Sequence, residues 1–532
     1  MATVQTLQGP VKGVLIGAVT QYRGIPYAES PCSGEGRFQP PRPAQRRHSV
    51  LDAARSSEKV PQVDAACSLD PQGCSEGSSE YLTLNVWTPK QDDNALLPVL
   101  VYVCGGAFLA GNGGDSMYDS QHLAAKGIVA VTINYRVGFE GFGHVPSQPD
   151  NRGLLDILAA LQWIKQNIAG FGGDPASITA AGHSAGAEAI LCLLSMPSAQ
   201  GTFQRAILHS PMAFTLTPPA AFRVTEHLAA GCKVAPTLEG ISSVPVKDLA
   251  KAVMELRMGA FADPGNWGTQ AFFPIAPVVD GDTLPHAPLD PLAQGALDVD
   301  ILVGHTKDEA AFICMMLPWL NADPMLFPSM TGRPKALEAM KQLHPDADIV
   351  TIVRDLVSDW TFRSPALHIA TKHAARSSTP SSSASSAAPS EPCQTPSDHD
   401  GSLTAEALPS AQTHCYLFAA ALPEGTPVVH GLDCPYTFGN LTAKMMGRQM
   451  LGPEPPSECY KLSEAMQQAW VSFCHSGDPN WGCSGFSMNK PVQRVWSLPD
   501  EVGKHQHAPL QEQAKIWDGL SFGPHQATGN AA

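Results

Sequence analysis

The chain has 532 residues, 43% of them hydrophobic and 16% charged, which is ample for a large buried core. Its formal net charge of −15 argues against nucleic acid or an anionic membrane surface as a partner, because both require a basic footprint. The thirteen cysteines are scattered and odd in number, without a CxxC or other metal-ligand spacing; they read as reduced, mostly buried thiols, and no metal or other cofactor is expected.

The first stretch, MATVQTLQGPVKGVLIGAV, has no basic start followed by an apolar run, so no signal peptide is expected. No apolar run approaches the ~20 residues of a membrane-spanning helix, so no stable membrane insertion is expected and the location reads as cytoplasmic. Residues 1–55 read as a β-meander: a strand from Val14 to Tyr22, a turn at Gly24-Ile25-Pro26-Tyr27-Ala28, then a Pro-rich arm from Arg37 to Pro43. Residues 59–80 form an irregular loop carrying Cys67 and Cys74, and Leu82 to Thr88 alternates like a strand.

A central sheet is then predicted. Val99 to Val103 is a continuous apolar run, as expected for a strand covered on both faces, and it ends in Cys104-Gly105-Gly106-Ala107-Phe108. Ile128 to Asn134 is a second such strand, leading to Tyr135-Arg136, and Asn151 to Ala169 has helical apolar spacing. Ser177 to Ala181 reads as a short strand running into Gly182-His183-Ser184-Ala185-Gly186, with an apolar helix from Ala187 to Leu194 behind it. A G-x-S-x-G between strand and helix is the pattern of a nucleophile elbow, in which the chain turns so sharply that the serine hydroxyl stands clear of the backbone.

Arg205 to His209 is the next strand, ending at Ser210-Pro211; residues 213–270 read as helical cap excursions. Ile275 to Asp280 and Ile301 to Gly304 are sheet-like runs, and residues 335–373 are helical. Residues 374–412 are Ser/Pro/Ala-rich with almost no large apolar side chain, so they are expected to be a disordered surface insertion. Cys415 to Phe418 resumes as a strand, His430-Gly431 follows a Pro/Gly loop, and a helix is expected from Leu462 to Cys474. The alternation predicts an α/β protein with a large, mostly parallel central sheet, helices on both faces and helical cap excursions. One domain, 1–373 and 413–532, carries the insertion.

Ester cleavage by a serine needs a base for its proton, an acid partner that orients the base, and fixed N–H donors for the oxyanion. In this strand–elbow–helix arrangement the chain order is Ser, then Asp or Glu, then His. Ten histidines follow Glu309, so order alone does not identify the base. His399 lies in the insertion and His505, His507 and His525 in a polar tail, while His430 is best placed, on a Gly/Pro-flanked loop soon after a returning strand. Asp308 and Glu309 both sit just past the end of the Ile301–Gly304 strand, and composition does not separate them. The oxyanion donors are expected from the N–H of Ala185 and from the small-residue loop Gly105-Gly106-Ala107.

From residue 3 to about 500, apart from the insertion, the chain resembles the type-B carboxylesterase/cholinesterase family of the α/β-hydrolase superfamily. The resemblance is carried by Gly24-Ile25-Pro26-Tyr27-Ala28, Leu84-Asn85-Val86, Gly105 to Phe108, Asn134-Tyr135-Arg136 with Gly141-Phe142, Asn167-Ile168, Phe171-Gly172-Gly173-Asp174-Pro175, Gly182 to Gly186, Lys307-Asp308-Glu309, His430-Gly431 and Gly477-Asp478-Pro479-Asn480. It implies the α/β-hydrolase fold, and a cofactor-free serine esterase with Ser184 as nucleophile, Glu309 as acid and His430 as base. It also implies Gly106, Ala107 and Ala185 as oxyanion donors and Ser210 as a support of the acid–base pair. Four positions depart from the family pattern: Cys104 stands for a His or Tyr, His183 for a Glu or Gln, Ala310 for a Gly and Tyr81 for a Cys. His183 is expected to be structural. Cys232 matches a family disulfide half-site, but no cysteine occupies its partner position around Asp248 to Leu256, so both family disulfides are expected to be absent.

Relatives that use choline esters place a Trp in the loop before the LNV strand, where its ring binds the ammonium by a cation–π contact. Residues 59–80 contain no aromatic residue, which argues against choline esters. Phe108, Phe214, Phe272, Phe273, Phe312 and Trp319 are candidates for an acyl pocket. The expected reaction is hydrolysis of small or medium uncharged carboxylic esters through an acyl-enzyme. The alternatives are a lipase acting on long-chain esters, or an inactive binding or adhesion relative.

Overall fold

The computed structural model describes residues 3–31, 36–55, 59–62, 80–89, 96–290, 298–317, 320, 323–376, 411–420, 426–444, 446–482, 485–487, 489–498, 505–507 and 511–517. An 11-stranded sheet runs through its centre. Its strands in chain order are β1 (Val14–Ile16), β2 (Val19–Pro26), β3 (Thr83–Pro89), β4 (Leu97–Val103), β5 (Val129–Ile133), β6 (Gly173–His183), β7 (Arg205–His209), β8 (Asp300–Thr306), β9 (Thr413–Phe418), β10 (Val492–Trp496) and β11 (His505–His507). Across the sheet they lie in the order β11-β10-β9-β8-β7-β6-β4-β5-β3-β2-β1. The seven strands from β10 to β5 are mutually parallel, and the pairs at both flanks are antiparallel.

The parallel middle follows from its residues. Val99–Val103 and Val129–Ile133 are buried along their whole length, as strands covered by helices on both faces must be. Helix α1 (Arg152–Asn167) and helix α2 (Ala185–Ser195), the latter buried throughout, supply part of that cover. A buried two-fold ion pair ties the strand β5 exit to α1: Arg136 Nε and Nη2 donate to Asp156 at 2.8 and 2.7 Å. The cap is helical, with Pro218–Cys232, Leu238–Ser242 and α3 (Val246–Ala262). Arg37 fastens it by donating to the carbonyls of Ser242 and Val244 and to Glu140.

Several sequence expectations are corrected. The Val14–Tyr22 run is a hairpin, β1 and β2, turned at Gly17, whose φ of +61° suits a glycine. Gly24 to Pro26 does not turn the chain but continues β2 through a bulge between Tyr22 and Ile25. Ile275 to Asp280 makes one isolated bridge, Val278 to Leu216, because its carbonyl and N–H groups are taken up by Asn151 and Leu216 instead of a neighbouring strand. His505 and His507 lie in edge strand β11 rather than in a tail. Residues 374–376 still belong to a helix, Ser364–Arg376, and the rest of the insertion from 377 to 410 lies outside the described residues, as do 63–79 and Trp319.

Candidate active site

Strand β6 ends at His183 and α2 begins at Ala185; Ser184 between them has φ 56° and ψ −125°, a conformation an L-residue holds only when its surroundings impose it. Two hydrogen bonds fix it: Ser184 N–H donates to His209 O at 2.9 Å, and its carbonyl accepts from Glu188 N–H at 3.0 Å. The flanking glycines are required by space. A Cβ on Gly182 would lie 2.6 Å from the Gly186 backbone, and one on Gly186 would lie 2.1 Å from Val103 O. The same five-residue pattern recurs at Gly73 to Gly77, outside the described residues and with no strand pattern before it.

The turn after β8 carries Asp308 and Glu309, and the two carboxylates diverge. Asp308 accepts from Val428 N–H at 2.9 Å and braces the loop before His430. Glu309, fully buried, reaches His430: its Oε2 is 2.5 Å from His430 Nδ1. Its Oε1 accepts from Ser210 Oγ and from Thr306 N–H, each at 2.6 Å. Burial pushes the Glu309 carboxyl up, but the His430 charge and these hydrogen bonds outweigh it and hold the group below the usual carboxylate range. His430 Nε2 is buried and has no hydrogen-bond partner among the described residues. Two rings pack on the imidazole: Phe362, stacked at 4.1 Å, and His183, tilted by 39° at 4.4 Å between centroids. Phe362 comes from a π-helical turn, Asp359–Arg363, anchored by Arg363 to Asp359 and Asp355. Sequence reasoning missed Phe362, since nothing local marks a ring that packs on a loop far along the chain.

The loop after β4 passes close to the elbow. A Cβ on Gly105 would lie 2.5 Å from His183 O and 3.0 Å from Ser184 Cβ. Gly106 has φ +133°, and a Cβ there would lie 2.1 Å from Ala110 O, so only glycine is accommodated. Ala107 and Phe108 follow at φ 56° and 59°. Ala185 is the first residue of α2, so its N–H is among those a helix start leaves without an intrahelical partner. Cys104 is buried, its carbonyl accepting from Tyr135 Oη at 2.8 Å, and burial pushes its thiol up to about 12. Ala310, where the resemblance expects Gly, has φ −90° and ψ 7°, a backbone conformation that does not require glycine.

Beyond His183 lies a second buried His–carboxylate pair. Asp433 Oδ2 accepts from Tyr416 Oη at 2.7 Å and faces His209 Nδ1 at 3.0 Å. Trp470 Nε1 donates to His209 Nε2 at 3.0 Å, which makes that nitrogen an acceptor and Nδ1 the donor. Burial, with the nearby His430, holds His183 well below the usual imidazole range, although Asp433 opposes this. Of the acyl-pocket candidates, Phe214, Phe272 and Phe273 join one aromatic cluster with Trp360 and Phe327. Phe108 packs instead on Phe142, and Phe312 is 57% exposed.

A parallel-centred sheet with a strained serine between strand and helix, and a buried carboxylate–imidazole pair presented from later strands, defines an α/β-hydrolase. The family model of the carboxylesterase family matches residues 1–516, and the chain belongs to that family. It is 33% identical to the para-nitrobenzyl esterase of Bacillus subtilis (strain 168) over 497 residues, covering 90% of each chain. It is 32% identical to the fumonisin B1 esterase of Sphingopyxis macrogoltabida, covering 90% of this chain and 82% of the relative. The fold matches a solved Geobacillus stearothermophilus carboxylesterase with a TM-score of 0.78 at 28% identity, covering 97% and 99% of the two chains. The protein is accordingly a carboxylic ester hydrolase of the serine type; neither the lipase nor the inactive-relative alternative is favoured.

Proposed function

We propose that Ser184, His430 and Glu309 are the catalytic triad, and that the N–H groups of Gly106, Ala107 and Ala185 form the oxyanion hole. The observation that carries this is the state of His430: Nδ1 is bound to a buried carboxylate, while Nε2 is buried and unpartnered. That is the arrangement of a base with one nitrogen oriented and the other reserved for a serine proton. Ser184 Oγ attacks the ester carbonyl as His430 Nε2 takes its proton. Negative charge develops on the carbonyl oxygen facing the three N–H groups, and Glu309 stabilises the imidazolium. His430 then returns the proton to the leaving alcohol, and a water repeats the cycle on the acyl-enzyme. Ser210 holds the remaining oxygen of Glu309 and so positions the pair.

Small or medium uncharged carboxylic esters are the proposed substrates, in keeping with the para-nitrobenzyl esterase relative. A cytoplasmic location fits the eight described cysteines, all of which are free thiols. A fluorophosphonate should label the wild-type protein once and Ser184→Ala not at all. Labelling of the variant at another serine would overturn the assignment. A panel of p-nitrophenyl esters from acetate to long chain, with choline esters beside it, tests the substrate class.

A further inference from the structure

We propose that His183, Asp433 and Cys434 form a binding site for a divalent cation of zinc type, placed beside His430. One ligand atom from each of the three residues lies within 4.8 Å of the others, and all three side chains are buried. Each donor has capacity to spare. Asp433 Oδ2 is occupied by Tyr416 and His209, while Oδ1 has only the Cys434 thiol, 3.9 Å away. His183 is 9% exposed, and its Nε2 is buried without a partner. Cys434 Sγ meets the Tyr102 hydroxyl at 3.6 Å.

A nitrogen, an oxygen and a sulfur donor together suit zinc and its softer neighbours, not magnesium or calcium, which take oxygen ligands. Three protein ligands leave a fourth position for a water. The surroundings are those of a ligand-orienting network: Tyr416 and His209 fix the Asp433 carboxylate, and Trp470 fixes His209. Binding would release the Cys434 thiol proton to solvent, and a dication between a thiolate and a carboxylate is a neutral buried unit. Because the His183 ring lies against His430, replacing the Asp433 anion and neutral thiol by this neutral unit removes a negative charge that favours the imidazolium His430 forms during acyl transfer, so binding inhibits. This inhibitory consequence rests on the esterase reading; the site itself does not.

The test uses metal-free full-length Ser184→Ala protein titrated with Co²⁺, then with Zn²⁺ in competition. The expected result is a near-ultraviolet thiolate-to-cobalt absorption band that saturates at one equivalent and is displaced by zinc. Cys434→Ser and Cys434→Ala should both abolish the band. Tyr416→Phe should weaken affinity ~10–100-fold, the usual cost of losing an orienting partner, and His183→Gln should weaken it more. Melting curves establish that each variant is folded. Absence of the band, its persistence in both Cys434 variants, or unchanged affinity in His183→Gln overturns the site. Separately, zinc should inhibit ester hydrolysis by the wild type at the concentration at which it binds; binding without inhibition overturns the coupling to His430. Esterase activity surviving in Ser184→Ala would overturn the triad and leave the metal result standing.

Discussion

Two histidine–carboxylate pairs lie close to His183, and they differ at the far ring nitrogen of the histidine. In Glu309–His430 the far ring nitrogen is unpartnered; in Asp433–His209 it is closed by the indole N–H of Trp470. Both carboxylates are fully buried and each is held by a second hydroxyl, Ser210 on Glu309 and Tyr416 on Asp433. A buried His–carboxylate pair is therefore not in itself catalytic machinery. Under the proposed triad the open nitrogen lets His430 serve as the base, whereas the closed nitrogen leaves the His209 pair a structural one.

The largest expected effects test that division directly. Ser184→Ala and His430→Ala should each lower kcat by ~10⁶-fold, and Glu309→Gln by ~10⁴-fold, read with p-nitrophenyl acetate. If His209→Gln cut kcat as deeply as His430→Ala while remaining folded, the open-versus-closed distinction would fail. Next comes the oxyanion loop. Gly106→Ala forces a Cβ against Ala110 O at a φ of +133°, and the displaced donor should cost ~10²–10³-fold in kcat with a smaller change in KM.

The closed pair should respond in stability instead of rate. Trp470→Phe leaves His209 Nε2 buried and unsatisfied, which should cost about 1–3 kcal/mol, seen as a lowered Tm, with kcat changed only a few-fold. The pH dependence of stability separates the pairs further. Burial pushes both carboxyls up, but His430 and its hydrogen bonds hold Glu309 below the usual range, and the hydrogen bonds from His209 and Tyr416 do the same for Asp433. Folded values below the unfolded one, ~4, mean stability that is present above that pH and lost as pH falls through the folded values. Tm should accordingly drop below about pH 4. Asp433→Asn should lower Tm at neutral pH and flatten the acid slope, while Glu309→Gln should flatten it and also abolish turnover. A variant with an unchanged slope would remove its carboxylate from this account.

Residues alone specified much of this protein. Unbroken apolar runs such as Val99 to Val103 demanded a sheet covered on both faces, and Gly182 to Gly186 between a strand and a helix demanded a sharp turn at Ser184, because these are constraints on neighbouring backbone. Composition left Asp308 and Glu309 equivalent, chain order left ten histidines of which loop context favoured His430, and the resemblance to a family settled both choices. The structure separates the two carboxylates by physical contact: Glu309 meets His430 across 121 residues of chain, while Asp308 turns to Val428 N–H. Phe362 on His430, and the path from Trp470 through His209 to Asp433, have no trace in local pattern. They join residues as far as 261 positions apart, and hydrogen bonds and ring stacking of that kind arise only when the parallel strands bring their ends together.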